Sequence, residues 1–234
     1  MEKEEKHELL RNFYEEWANC ERCGLCNPRG RERNHVVFGE GNPDAKLVII
    51  GEAPGETEDL DGGPFKGKSG EIVDDMLESF NSTRDEVFIM NMVGCRPTEF
   101  DDPNRNRTPT KEEIEACLSR VYRTIEIIDP YVLLLLGKTP LKALTTEKRE
   151  ISKVVQSDPP EHLIARIQGR QLMLEYPALV AFHPSYLLRN WVLEEHSDVH
   201  YSFMSWEKAF RLSDSYEQIY TGKIPPLRSK NEPA

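Results

Sequence analysis

The chain has 234 residues, 38% of them hydrophobic, and a net charge of −11 from 41 acidic and 30 basic residues. This length allows one large α/β domain or two small ones. The negative charge argues against a protein that coats nucleic acid nonspecifically, but it does not exclude an enzyme that contacts a few phosphates. No apolar run approaches the roughly 18–20 residues of a membrane helix, and the charged N-terminus does not resemble a secretory signal. We therefore expect a cytoplasmic protein without membrane contact.

Helix, strand and a glycine-rich segment follow each other in the first third of the chain. Residues 3–19 place apolar side chains at helical spacing and predict an amphipathic helix that leads into C-E-R-C at 20–23. The short β-branched run at 46–50 is typical of a buried strand. Six glycines and two prolines in 51–70 predict a segment without regular structure. The apolar positions of 72–80 then mark one face of a helix.

The middle of the chain predicts a strand, a polar loop and a long helix. The strand covers 87–90, and the proline-containing loop covers 96–107. Thr110 and Glu113 have the spacing of a capping box at the start of the helix, which the Asp129–Pro130 pair ends.

The remaining elements complete an alternating pattern. They are a strand at 132–136, a short helix from Thr139–Pro140, a hairpin at 163–174, a strand at 178–182 and a helix carrying Phe203, Trp206 and Phe210. The alternation predicts a single three-layer α/β/α domain with a mainly parallel central sheet. We assign 1–222 to this domain, with the first helix and cysteine pair in 1–30, and 223–234 to a loose tail.

Three polar side chains follow predicted strands directly. Glu52, Asn91 and His183 each stand at a strand end. Taken singly, an Asn there is usually a turn former, and a His before Pro is usually a loop residue. Ligand sites of open α/β sheets lie beyond the carboxyl ends of the strands, so their shared position predicts a common site.

The five cysteines predict a metal centre rather than a disulfide framework, because their number is odd. Cys20 and Cys23 follow the first helix, whereas Cys95 follows a strand and Cys117 lies in a predicted helix. From spacing alone, four thiolates suit zinc and an iron–sulfur cluster equally. Cys26 extends the first pair to C-x-x-C-x-x-C and could compete as a ligand.

Seven motifs occur in a fixed order between Cys20 and Asn190. They are C-E-R-C at 20–23, F-G-E-G-N-P-D-A at 38–45, G-E-A-P-G-E-T-E-D at 51–59, G-P-F-K-G-K-S-G at 63–70, N-M-V-G-C-R-P at 91–97, L-L-G-K-T-P at 135–140 and H-P-S-Y-L-L-R-N at 183–190. In this order they resemble the family 4 uracil-DNA glycosylases, the iron–sulfur branch of the uracil-DNA glycosylase superfamily. The resemblance runs to about Trp206.

The resemblance implies a DNA glycosylase that hydrolyses the N-glycosidic bond of a flipped-out deoxyuridine, releases uracil and leaves an abasic site in base excision repair. The extruded base must be stacked, read along its Watson–Crick edge and stabilised as a departing anion. The sugar becomes oxocarbenium-like, so a carboxylate and a positioned water help on its other side. No lysine is placed as an obvious Schiff-base nucleophile, so a monofunctional enzyme without strand cleavage is expected.

Residue roles carry over from the resemblance. Phe65 resembles the aromatic that stacks on uracil, and Asn91 the amide that donates to O4 and accepts from N3–H. His183 resembles the histidine at uracil O2. Glu52 takes a positioning or electrostatic role and Glu58 a supporting one. The remaining residues of the substrate loop are Gly51, Ala53 and Gly55.

On the DNA side, the resemblance gives a loop at 183–190. Ser185 belongs to it, and Arg189 is placed for a phosphate. Leu187, or its neighbours Tyr186 and Leu188, could wedge into the gap that the flipped nucleotide leaves. The alternative is that the leucines pack into the core.

The resemblance also favours a structural [4Fe–4S] cluster held by Cys20, Cys23, Cys95 and Cys117, with zinc as the alternative occupant and Cys26 as a partly buried free thiol. We expect a monomer that binds uracil-containing DNA, single- or double-stranded, with replication or repair proteins as candidate partners.

The chain departs from the family pattern at three places. Lys66 replaces an apolar residue, the acidic spacer 98–103 is longer, and 194–201 is an insertion. Two other functions therefore stay open: a same-fold glycosylase for another modified base, and a non-catalytic cluster-bearing module that binds DNA or protein. A covalent uracil-trapping relative is disfavoured, because no basic, histidine-containing insertion follows Cys95.

Overall fold

The structure, a computed structural model, describes residues 1–26, 36–99, 102, 104–190 and 194–220, with only the backbone described for 215–220. Its elements are α1 Lys3–Trp17, a 3-10 turn Gly24–Cys26, β1 Glu40–Gly41, β2 Leu47–Gly51, α2 Glu56–Asp61, α3 Lys68–Ser79, β3 Phe88–Asn91, α4 Lys111–Ile128, β4 Val132–Leu136, α5 Lys138–Leu144, α6 Ile151–Val155, β5 Leu163–Gln168, β6 Met173–Ala181, α7 Pro184–Arg189 and α8 Asp198–Tyr220. The predicted tail 223–234 and part of the spacer 98–103 lie outside the described residues.

Within the described residues, the strands form one six-stranded sheet in the order β1-β3-β2-β4-β6-β5. The four inner strands are parallel, and Ile50 of β2 stands opposite Met90 of β3 and Leu135 of β4. The edge strands β1 and β5 are antiparallel to their neighbours. The mainly parallel sheet is confirmed, and it brings the carboxyl ends of β2, β3, β4 and β6 to one edge.

Both faces of the sheet are buried, because side chains of a strand alternate between its two sides. Val48 and Ile50 join a core with side chains of α1, α4, α5 and α6. Leu47 and Ile49 join a second core with side chains of α3 and α8. The two helical layers confirm the predicted α/β/α arrangement.

The expectation that 51–70 lacks regular structure is wrong, because this segment contains α2. Its glycines bound the helix rather than prevent it. Gly55 is the N-cap, and the Glu58 side chain reaches back to accept from the Gly55 N–H. Gly62 ends the helix with a φ of 84°, a backbone conformation that glycine adopts without strain.

Other expectations hold with changed boundaries. The hairpin at 163–174 is present, but its second strand continues without a break into the strand predicted at 178–182, so that β6 is one element. The Thr110–Glu113 capping box begins α4, and Asp129 ends it with a φ of 50°. In the described part of the chain, no helix is long and apolar enough to cross a membrane.

Candidate active site and cysteine cavity

A cavity of about 560 Å³ opens at the edge where the parallel strands end. Glu52 follows β2, Asn91 ends β3 and His183 follows β6, and all three line this cavity. Phe65 and the loop before α2 line it as well. The structure therefore brings together the strand-end residues that the sequence topology placed at one edge, although the role of each remains a prediction.

Asn91 presents an unsatisfied amide to the cavity. Its side chain is 2% exposed, and its Oδ1 atom has no hydrogen-bond partner. A buried polar atom without a partner costs about 1–3 kcal/mol, so such an atom in a cavity indicates a ligand that completes it. Gly51 makes room for the amide, because a Cβ atom there would collide with Asn91 Oδ1 and with the Phe65 ring.

Phe65 lies beside the imidazole of His183. Its ring centroid lies 5.9 Å from that of His183, with an angle of 29° between the ring planes. The residue has a φ of 53°, which is unfavourable for a phenylalanine and is kept by its surroundings. Arg84 supplies part of this support, because its guanidinium donates to the carbonyl oxygens of Pro64 at 3.1 Å and Phe65 at 2.6 Å.

Glu58 holds the loop that surrounds the cavity. One carboxylate oxygen accepts from the backbone N–H groups of Lys66 at 2.8 Å and Gly67 at 2.9 Å. The other accepts from the N–H of Gly55 at 2.9 Å. Both oxygens are thus engaged by backbone, which suits the supporting role expected for Glu58 and not direct proton transfer.

Glu52 is oriented by a neighbouring helix. Its Oε2 accepts a short hydrogen bond of 2.5 Å from Thr139 Oγ1, in the first turn of α5. The Glu52 carbonyl also accepts from the N–H of Val93 at 3.2 Å, which joins the loop to the residues after β3. The carboxylate therefore has a fixed place at the rim of the cavity.

His183 is a neutral imidazole with a defined tautomer. It is the N-cap of α7, and its Nδ1 accepts from the Ser185 N–H at 3.2 Å and lies 2.9 Å from the Ser185 hydroxyl, which can donate to it as well. An N–H group can only donate, so Nδ1 carries no proton and the proton lies on Nε2. Burial, aided by the charge of Arg189 and opposed by that of Glu58, lowers the pKa of His183 to about 4. At neutral pH the side chain is an uncharged donor through Nε2–H.

The structure buries Leu187, which is the alternative that the sequence left open for this leucine. This side chain is 1% exposed and packs in the core, whereas Leu188 is 40% exposed and Tyr186 is 36% exposed. The short helix α7 turns Leu187 inward, because successive helical residues point in different directions.

Ser185 and Arg189 line the cavity. Lys66 forms an ion pair of 2.6 Å with Glu40.

Several cavity residues were not assigned from the sequence. They are Lys68, Asn106, Arg107 and Lys138, which line it, and Thr139, which orients Glu52. Lys68 and Lys138 each follow a glycine at the start of a helix, α3 and α5. The motifs at 63–70 and 135–140 show this position of each lysine after a glycine. The start of each helix brings the positive charge of its lysine to the same edge of the sheet.

The cysteines converge on a second cavity, lined by Cys20, Cys23, Cys26, Cys95 and Cys117 together with Trp17, Arg22, Leu25, Val36, Gly94, Ala116 and Arg120. Cys95 and Cys117 are buried and the other three thiols are half-buried. Burial raises the pKa of the Cys23 thiol, and the nearby Cys117, Glu113 and Cys20 raise it further.

The chemistry of this donor set fits an iron–sulfur cluster or zinc, since both are bound by soft thiolates. Among the described residues, no group of three or more His, Cys, Asp or Glu side chains has the geometry of a single metal-ion site. Cys26 lines the cavity like the other four, so the selection of Cys20, Cys23, Cys95 and Cys117 as ligands remains a prediction.

The fold and the strand-end cavity define the class of protein. The family model of the uracil DNA glycosylase superfamily matches residues 38–203, which include every residue that lines the strand-end cavity and, of the five cysteines, Cys95 and Cys117. A type-4 uracil-DNA glycosylase of Thermotoga maritima is 38% identical over 79% of this chain and 86% of that protein. Those of Pyrobaculum aerophilum and Sulfurisphaera tokodaii are each 34% identical, over 81% and 80% of this chain and 86% and 80% of those proteins. The chain belongs to this superfamily and, within it, to the type-4 uracil-DNA glycosylases.

Proposed function

We propose that this protein is a monofunctional uracil-DNA glycosylase of base excision repair, which hydrolyses the N-glycosidic bond of deoxyuridine and leaves an abasic site. The observation that carries the proposal is the buried, unpartnered Oδ1 of Asn91, in one cavity with Phe65 and His183. An amide offers a donor and an acceptor side by side, which complement O4 and N3–H of uracil. A binding module would not need a buried reading group of this kind.

In the proposed mechanism, the extruded uracil stacks on Phe65 and pairs with the Asn91 amide. As the glycosidic bond breaks, negative charge grows on the uracil, and Nε2–H of His183 donates a hydrogen bond to O2. The donor is neutral and already oriented by its Nδ1 contact with Ser185, so it needs no reorganisation. Glu52, fixed by Thr139, stabilises the positive sugar and positions the attacking water.

Local positive charge allows DNA to approach this acidic protein. Lys68, Lys138 and Arg189 line the same cavity, although the whole chain carries a net charge of −11. Arg107 lines it too, but its two terminal nitrogens donate to the carboxylate of Glu113. Phosphate contacts by such side chains position a duplex without reading its sequence. We propose that Lys68, Lys138 and Arg189 bind the phosphates that flank the flipped nucleotide.

The proposed activity is tested with labelled oligonucleotides that contain uracil in single strands, opposite guanine and opposite adenine. Strand scission after alkali, and none before it, is the expected result for a monofunctional enzyme. Matched oligonucleotides with thymine, hypoxanthine or cytosine at the same position test for a retuned specificity. No abasic sites from any uracil substrate, with a fully loaded protein, would contradict the proposal and favour the alternative base or the binding module.

Leu187 and Leu188 are adjacent in α7 but differ in exposure, so substituting each one tests core packing and DNA binding separately. We propose that Leu188, which is 40% exposed, is the apolar wedge in place of Leu187. Leu188→Ala is expected to slow excision from duplexes about tenfold, part of the few kcal/mol that unstacking costs, and to leave single strands less affected. Leu187→Ala is expected to lower the free energy of unfolding by about 2–5 kcal/mol. Single-turnover rates and denaturant titrations measure the two effects; a duplex-specific loss in Leu187→Ala alone would reverse the assignment.

We further propose that Cys20, Cys23, Cys95 and Cys117 hold a [4Fe–4S] cluster, which supplies a structural tie between α1, the segment after β3 and α4. The convergence of the thiols supports a shared metal centre, and the similarity to type-4 uracil-DNA glycosylases supports the cluster over zinc. Cys23→Ser is expected to lose iron and visible absorbance, whereas Cys26→Ser is expected to retain about four irons per chain. Analysis of iron and sulfide content in each variant tests this ligand set. If Cys26→Ser lost the cluster and Cys23→Ser kept it, Cys26 would be a ligand.

The expected monomer, the cytoplasmic location and the contacts with replication or repair proteins stay predictions, as does the domain boundary at residue 222.

A further inference from the structure

Arg120 is a buried cation that the proposed mechanism does not use. It lies in α4, three residues after Cys117, and is 0% exposed. Its side chain lines the cysteine cavity. Taking a guanidinium out of water costs several kcal/mol unless an anion and hydrogen bonds compensate it, so its surroundings should contain a partner.

One side of the Arg120 guanidinium contacts the end of β3, the strand that carries the Asn91 amide. Arg120 Nη2 donates to the carbonyl oxygen of Asn91 at 2.7 Å and to that of Met92 at 3.2 Å. These carbonyls lie at the end of β3, where the backbone leaves the sheet. The contact therefore fixes the peptide from which the Asn91 side chain enters the active-site cavity.

The other side of the guanidinium is unsatisfied by protein groups. Within the described residues, Arg120 Nε and Nη1 have no hydrogen-bond partner and no carboxylate forms an ion pair with the residue. Gly94 lies beside this group, since a Cβ atom there would stand 3.4 Å from Arg120 Nε. The residue that carries this charge and these two unpartnered donor groups also lines the cavity of five thiols.

We propose that Arg120 is a positioning residue that links the cysteine-bound cluster to the uracil-reading amide. Its Nε–H and Nη1–H donate to sulfur of the bound cluster, and its Nη2–H holds the carbonyls of Asn91 and Met92. A thiolate-ligated iron–sulfur cluster is an anion, so it supplies the charge partner that the buried guanidinium otherwise lacks. The proposal rests on the uracil excision and the cluster proposed above.

The competing explanation is a buried water. Tyr14 Oη and Thr124 Oγ1 are also buried, lie near each other and make no hydrogen bond of standard geometry. Burial raises the pKa of Tyr14, whereas Thr124, the charge of Arg120 and the Gly39 backbone act to lower it. A water among these three side chains would satisfy Arg120 without any contact to the cluster. The two explanations differ in what happens to the cluster when the guanidinium is removed.

The test compares the holoproteins of Arg120→Met and Arg123→Met. Arg123 is the matched control, because it lies in the same helix, is half-buried and pairs with Glu126 at 2.7 Å. Expected for Arg120→Met are faster loss of visible absorbance under ferricyanide and slower single-turnover excision of uracil, each by about 10–100-fold, as for other groups that support metal ligands. Its cluster potential is expected to fall, because a nearby positive charge is removed. Arg123→Met should match the unmodified protein.

A cluster lifetime and potential in Arg120→Met equal to those of Arg123→Met would overturn the proposal in favour of the buried water. If the Arg120→Met variant does not accumulate as folded protein, the Arg120→Lys variant provides the test instead. It is expected to keep the potential while losing excision rate, because one ammonium group cannot serve both sides; unchanged lifetime and rate would also overturn the proposal. A wild-type protein without uracil excision would refute the proposed function, yet the potential and lifetime would still test the link to the cluster.

Discussion

Asn91→Asp is expected to lower kcat/KM for uracil excision by about 10²–10³, the effect of removing one donor from a preorganised site. The carboxylate is similar in shape but has no N–H to donate to uracil O4. The negative charge of the carboxylate would also face the O4 oxygen of uracil, and this repulsion is more costly in a buried position. Single-turnover rates on single-stranded uracil substrates measure the change without a contribution from duplex opening.

The same substitution should alter which base is accepted. The cytosine edge places an amino donor where uracil has O4, and a carboxylate can accept from that amino group. We expect the preference for uracil over cytosine to fall by at least about 10², because sites that read a base by hydrogen bonds discriminate by more than this. Parallel assays on cytosine-containing strands, with the released base identified by mass, give this ratio.

Asn42→Asp is the matched control for this prediction. Asn42 Oδ1 accepts from the Asp44 N–H at 3.1 Å in a turn that does not line the active-site cavity. Aspartate keeps that acceptor, so the control adds the same charge without touching the site. Uracil excision at the unmodified rate by Asn91→Asp would show that the amide does not read the base.

His183→Asn is expected to lower kcat by about 10²–10³ with little change in KM, because the lost donor acts on charge that develops in the transition state. Asparagine is a favoured N-cap residue, so it can replace Nδ1 as acceptor for the Ser185 N–H and preserve α7. It cannot extend a donor to the position of Nε2. The loss therefore reports on catalysis and not on folding.

The pH dependence gives a second readout for the same residue. Because the pKa of His183 lies at about 4, its protonation state does not change between pH 5.5 and 8. We expect no inflection near the ordinary histidine value of about 6.5 in single-turnover rates, and a fall that begins only as the pH approaches 4. Protonation at Nδ1 would also remove the acceptor that caps α7.

His7→Asn, an exposed change in α1, serves as the control. A thermal midpoint for His183→Asn equal to that of the control, together with the lower kcat, is the expected combination. A full excision rate in His183→Asn would remove the histidine from the mechanism. A rate inflection near pH 6.5 that disappears in His183→Asn would instead show a charged imidazole as the working form.

The positions of the three strand-end residues could be predicted because topology fixes them. Short apolar runs gave the inner strands, and parallel strands bring their carboxyl ends to one edge, so Glu52, Asn91 and His183 had to be near each other. Their detailed state could not be predicted. The neutral tautomer of His183 depends on contacts of Nδ1 with the N–H and hydroxyl of Ser185, and the unpartnered Oδ1 of Asn91 depends on which groups surround it.

One expectation was wrong, and one alternative that the sequence left open was decided by packing; the physical reasons differ. The segment 51–70 was read as irregular because glycine destabilises a helix interior, yet Gly55 and Gly62 stand at the ends of α2, where glycine is favourable. Leu187 and Leu188 are adjacent leucines with the same local propensity. Which of them is buried depends on how α7 packs against the sheet, and this is decided by residues distant in the chain.

The sequence by itself determined the alternation of strands and helices, the capping of α4 and the edge at which the polar side chains gather, since these follow from apolar periodicity and from contacts within a few residues. Only the tertiary structure decided that Glu58 binds three backbone N–H groups of the surrounding loop, that Thr139 fixes Glu52, and that Arg120 joins the Asn91 backbone to the cysteine cavity. Each of these contacts requires polar groups to be excluded from water together. Burial of that kind is a property of the packed chain and has no counterpart in local sequence.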